Sequence, residues 1–84
     1  MATLKHYRLR TMHQLATMAS TVTKTGKNFQ EAKAQATYFS IHLAQHTDNL
    51  AAYNEVMQFT IDVSNAASLL DCFNLKSTLE EMNL

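Results

Sequence analysis

Apolar residues recur along this chain at intervals of three and four, with polar residues between them. Leu4, Tyr7, Met12, Leu15, Ala16, Ala19 and Val22 form the first such series, the period of a helix that buries one side. Thr3 stands where it can cap this helix, and Lys5, Arg8, His13 and Gln14 fall largely in other sectors. The run Thr21-Val22-Thr23-Lys24-Thr25 is rich in β-branched residues, which weaken a helix. Gly26 follows as a natural residue just past a helix end. A first helix is therefore predicted from about Leu4 to about Thr25.

Asn28 with Glu31 three positions later has the pattern of a capping box and predicts a second start. Phe29, Ala32, Ala36, Phe39 and Leu43 then alternate steps of three and four, a narrow seam of the coiled-coil type. Tyr38 and Ile41 lie off this seam, where they can widen the core face or form a second contact surface. Thr47-Asp48-Asn49 are poor helix-interior residues and good caps. They predict a break before a third helix running from Leu50 to about Cys72. Its stripe is Tyr53, Val56, Met57, Thr60, Val63, Ala67 and Leu70, broadened by Phe59, Ala66, Leu69 and Phe73. The heptad also continues through the break as Phe29, Ala36, Leu43, Leu50 and Met57, which would make one long dimerising helix; the three weak helix formers favour the break. Ser77-Thr78-Leu79-Glu80 reads as a capping box for a short last helix over 78–83.

Composition narrows the fold class. The chain has no proline and one glycine, too few turn formers for a sandwich or barrel. Its 84 residues make one domain, 1–84, of marginal stability unless stapled by disulfides, a metal or a second copy. The single Cys72 excludes an intrachain disulfide and fits a reducing compartment, the cytoplasm. No run approaches the roughly 18–20 apolar residues of a membrane span, and the start lacks an apolar signal core. The expected architecture is all-α: an antiparallel three-helix bundle with a short fourth C-terminal helix. The Phe29–Leu43 seam and the Tyr38/Ile41 side together exceed what one copy can hide, so a homodimer is expected.

Charge is sorted along the chain although it sums to zero. Residues 1–33 carry six cations against Glu31 alone, a net of +5, and residues 34–84 carry six carboxylates against Lys76, a net of −5. Such a split concerns long-range attraction. It is met either by helix 1 packing beside the acidic part of its own or a sister chain, or by a basic surface for an outside anion.

Several residues could carry chemistry. His42 and His46 are four apart on helix 2, within reach of one ion. They lack a third ligand at a motif distance and the central Glu of the zincin pattern, so no metal is assigned. His6 and His13 are two turns apart and share a face with a basic segment. Arg8-Leu9-Arg10-Thr11-Met12-His13 resembles the R-x4–6-H pattern of the HEPN ribonucleases, over six residues of 84. That resemblance implies an all-α dimer in which Arg8 and His13 would act on a phosphodiester. The same segment, with Lys5, Arg8, Arg10, Lys24 and Lys27, can also be read as an anion or nucleic-acid surface, Tyr7 stacking on a base. No helix-turn-helix spacing supports this. Cys72 has no neighbouring cation in sequence and is expected to be a buried small hydrophobe. Of the five methionines, Met1, Met57 and Met82 are expected to fill gaps, while Met12 and Met18 could lie on an adaptable face. One glycine leaves no phosphate-cradling loop, and no nucleophile sits in a recognisable turn.

The leading expectation is therefore a non-enzymatic interaction protein without cofactor, an adaptor or an inhibitor of a larger protein partner, contacting it through Tyr38, Phe39, Ile41, His42 and Leu43. Compact glycine-poor helical chains of this size are common among accessory proteins of bacteria and their phages. A nucleic-acid-binding module and a dimeric R-x4-H ribonuclease are the alternatives.

Overall fold

The computed structural model describes residues 3–84, so Met1 lies outside the described residues. Four helices follow one another: α1 (Leu4–Ser20), α2 (Lys27–Gln45), α3 (Leu50–Ser64) and α4 (Leu69–Glu81). No β-strand occurs among the described residues. α1 packs most extensively on α2, α2 on α3, α1 on α4, and α3 and α4 touch least. α1 and α3 are not backbone neighbours, nor are α2 and α4, so the helices form a ring around one core.

The start of α1 is the one predicted: the Thr3 side chain accepts from the His6 amide at 3.3 Å. Its end is earlier. The helix stops at Ser20, and Val22, read as core, is 99% exposed. The β-branched run yields to another set of partners. The Lys24 ammonium donates to the carbonyls of Met18 (3.0 Å), Ala19 (3.2 Å) and Thr21. It thereby satisfies carbonyls a helix end leaves without amide partners. Gly26 is not a left-handed terminator: its φ is −78°, and it is the residue before α2. α2 starts at Lys27 without a side-chain cap, so Asn28 lies inside the first turn instead of capping it.

The predicted third helix is two helices. α3 ends at Ser64, and Ser68 begins α4 with a capping box: its hydroxyl accepts from the Asp71 amide at 3.1 Å, and Asp71 Oδ2 accepts from the Ser68 amide at 3.1 Å and the Ala67 amide at 2.9 Å. Asp in place of the usual Glu or Gln hides this box in the sequence. The box read at Ser77 is unused, because those residues are already inside α4. With 13 residues, α4 is comparable to α3 at 15, so the bundle has four helices of similar rank and not three with a short appendage. The split also exposes Leu69, Leu70 and Phe73, which one continuous helix was expected to bury.

Leu15, Met18, Phe29, Ala32, Ala36, Leu43, Val56, Phe59, Val63, Cys72 and Leu79 make the core. Each large side chain among them is worth about 1.5–3 kcal/mol over its exposed state. The seam of α2 is thus covered by the chain itself, which removes the seam as a reason to dimerise. The accessible surface, 5200 Å², is close to the about 5,000 Å² expected of a folded monomer of this mass. Met18 and Met82 are buried, while Met12 and Met57 pack partly against the core; Met18 therefore has no part in a surface. Three buried polar groups are satisfied. Thr11 donates to the Tyr7 carbonyl at 2.7 Å, and Ser40 and Thr60 bond each other at 2.8 Å between α2 and α3.

Candidate functional site

Tyr7, near the start of α1, is the centre of an aromatic and imidazole cluster. Its ring stacks on His42, with centroids 5.1 Å apart and planes at 17°. His46 lies at 4.9 Å, Phe39 at 6.4 Å and His6 at 5.3 Å from the same ring. Tyr38 meets His42 edge-on at 4.5 Å and Phe39 at 5.4 Å. The spacing that brings Phe39, His42 and His46 to α1 is the i, i+3, i+7 row of α2. Sequence reading placed Tyr38, Phe39 and His42 at a surface; it read Tyr7 as a core position and as an aromatic able to stack on a base, but not as their partner. Nothing local to residue 7 signals a partner on a different helix.

The other proposed contact residues divide. Tyr38 is 55% exposed and Ile41 37%. Phe39 and His42 are half-buried. Leu43 is fully buried and offers no atom to a partner, because the α2 seam faces the core. Of these residues, Tyr38, Ile41 and His42 with the edge of Phe39 therefore reach the surface.

The basic residues are dispersed and partly committed. Arg8 donates to the carbonyls of Leu79 (2.8 Å) and Glu80 (3.0 Å), at the end of α4. Lys24 closes α1 as described. Lys33, not singled out in sequence, donates to the Ala66 carbonyl at 3.2 Å, past the end of α3. Three cations of the basic segment thus sit at helix C-terminal ends, where carbonyls and the macrodipole favour positive charge. Lys27 pairs with Glu31 at 3.8 Å, the one ion pair among the described residues. The basic segment does reach the acidic half of the chain, but through backbone carbonyls in place of carboxylates. Lys5 and Arg10 are exposed.

The R-x4-H pair does not converge within one copy. Five residues along a helix separate Arg8 and His13 by about 140° around its axis. Arg10, His6 and Leu9 line an open depression with His13, whereas Arg8 borders a different, mostly apolar one with Lys5, Leu9 and Met12. The shared face expected of His6 and His13 is present.

His46 Nδ1 is 2.8 Å from the His42 carbonyl, a bond at the end of α2. Among the described residues no three His, Cys, Asp or Glu side chains are placed to hold a metal ion. Cys72 is a buried free thiol; burial pushes its pKa up, opposed by Lys24 and assisted by Asp71. Among the described residues no helix is long and apolar enough to cross a membrane.

Comparison with protein families, with curated proteins and with solved structures found no match to this chain.

Proposed function

We propose that the chain is a small non-enzymatic helical interaction protein, an adaptor or inhibitor that binds a larger protein through the outward side of α2. The observation that carries this reading is Tyr38: more than half exposed, yet held edge-on by both Phe39 and His42. An aromatic side chain already fixed in position loses little freedom on binding, and tyrosines of this kind dominate contact energies. Ile41 one turn on supplies apolar area, and His42, stacked on Tyr7, holds the cluster to α1.

The bundle is read as antiparallel, with Tyr7 near the start of α1 meeting His42 and His46 near the end of α2, and Arg8 meeting the end of α4. We place it in the cytoplasm, where the lone thiol stays reduced, as an accessory protein of bacterial or phage type that also self-associates. Nucleic-acid binding ranks behind this reading, because Arg8 and Lys24 commit their donors to carbonyls.

The test is capture of partners from cell extracts on immobilised chain, comparing the native protein with Tyr38→Ala and with Lys5→Ala/Arg10→Ala. A protein retained by the native chain and the basic-face variant, and lost with Tyr38→Ala, supports the proposal. Retention unaffected by Tyr38→Ala, or loss only with the basic-face variant, overturns it.

A further inference from the structure

α3 carries a second apolar row that the fold leaves uncovered. Val56, Phe59 and Val63 face the core, and Thr60 turns to α2, where it bonds Ser40. Tyr53 and Met57, seven and three residues before Thr60, share that side of the helix. Leu50, three before Tyr53, and Ile61, four after Met57, carry the row outward. Leu50 is 73% exposed and Ile61 51%, while Met57 packs partly against the core. The row runs for about 16 Å along the helix.

Charge decides what can cover it. The carboxylates of α3, Glu55 and Asp62, are seven residues apart and share the opposite flank. Asp62 there lines a depression with Asp71, Asn74 and Thr78 of α4. On the α2 side the outward surface continues through Gln45, Ile41, Ala34 and Gln30, all exposed and uncharged, and meets a charge only at the start of the helix, where Lys27 is paired with Glu31. A two-fold contact sets a surface against itself, so a patch whose charges all have one sign meets that same sign. The outward side of α1, with Lys5 and Arg10 exposed, fails that requirement. The α2–α3 side meets it.

We infer that this uncharged face is where a second copy of the chain docks. The two α3 helices cross antiparallel about a two-fold axis, so that Leu50 of one copy faces Ile61 of the other and Tyr53 faces Met57. The inference rests on the self-association proposed above and names its surface. Because one copy already conceals a monomer-sized core, the contact is reversible and concentration-dependent.

Light scattering on the full chain across micromolar to millimolar concentration, at low and high salt, tests it. Mass rises from 9.5 kDa toward twice that value, equally at both salts, since no ion pair is involved. Ile61→Asp and Leu50→Lys each return the chain to monomer while circular dichroism stays helical, and Leu50→Lys combined with Ile61→Asp restores the dimer through two opposite-charge pairs. A chain that stays monomeric at every concentration overturns both this surface and the self-association. A dimer indifferent to the single variants, dissolved by salt, or not restored by the double variant overturns the surface alone.

Discussion

The guanidinium of Arg8 closes the end of α4, donating to the Leu79 carbonyl at 2.8 Å across 71 positions of sequence. It joins the first helix to the last and gives the cation-rich segment a structural role. Hydrogen bonds from a charged donor are worth about 1.5–3 kcal/mol when buried, and this site is only part-buried. Arg8→Ala is therefore expected to lower unfolding free energy by about 1–2 kcal/mol, and Arg8→Lys to recover part of it. His13→Ala, at an exposed position on another side of α1, should leave stability unchanged. Urea unfolding of the three variants checks this; equal stability of Arg8→Ala and the native chain would refute the cap.

Lys24 does for α1 what Arg8 does for α4, but locally. Its ammonium reaches the Met18 and Ala19 carbonyls as well as Thr21, and it lies 5.8 Å from the Phe29 ring centroid. Lys24→Met keeps the aliphatic stem and removes the donors. Loss of about 1–2 kcal/mol is expected, with amide exchange fastest in the last turn of α1. If α1 frays no faster in the variant, the β-branched run alone ends the helix.

The helices themselves were legible in the sequence because each buries one stripe at regular spacing. Leu15, Ala36, Leu43, Val56 and Val63 are core residues as their period implies, and Thr3 and Asn49 cap the helices they were expected to cap. What period could not show was where a stripe changes neighbours. The Leu50–Cys72 series is continuous in spacing, yet a capping box at Ser68 divides it, and only the side chain of Asp71 distinguishes that site from helix interior. The Tyr38 surface was visible because those residues lie off the seam. That Tyr7 belongs to it was not, because its partners are set by the packing of α1 on α2. Cations were read by charge alone, and the carbonyls that hold Arg8, Lys24 and Lys33 carry no trace in the sequence.

Asp71 ties the stability of the α3–α4 junction to pH. The Ala67 amide, the Ser68 hydroxyl and the Ser68 amide hold its carboxyl below the ordinary carboxylate value. The folded pKa is thus depressed relative to an unfolded value of about 3.9. Its contribution is present above that value and disappears as pH falls through the folded pKa. Asp71→Asn should accordingly reduce stability at neutral pH and flatten the acid limb of the stability curve. Urea midpoints measured from neutral to pH 3 test it; parallel curves for both proteins would show that the box contributes no proton linkage.

Ser40 and Thr60 offer a test of how α2 is registered on α3. Their hydroxyls are 2.8 Å apart in the core, and each also lies near a carbonyl of its own helix: Ser40 is 3.0 Å from that of Thr37 and Thr60 is 2.9 Å from that of Val56. Each hydroxyl has one proton, so one of the two donates across the interface and the other donates within its helix. Ser40→Ala leaves Thr60 free to donate to Val56, and Thr60→Val leaves Ser40 free to donate to Thr37. Neither change strands a donor, and each should cost only about 1 kcal/mol. Removing both hydroxyls should then cost less than the two single losses together, since the shared bond is counted in each. A double-mutant cycle by chemical unfolding is expected to return a coupling of about 0.5–1 kcal/mol. Strict additivity would mean that the two hydroxyls contribute nothing to one another, and that apolar packing alone sets the register of these helices.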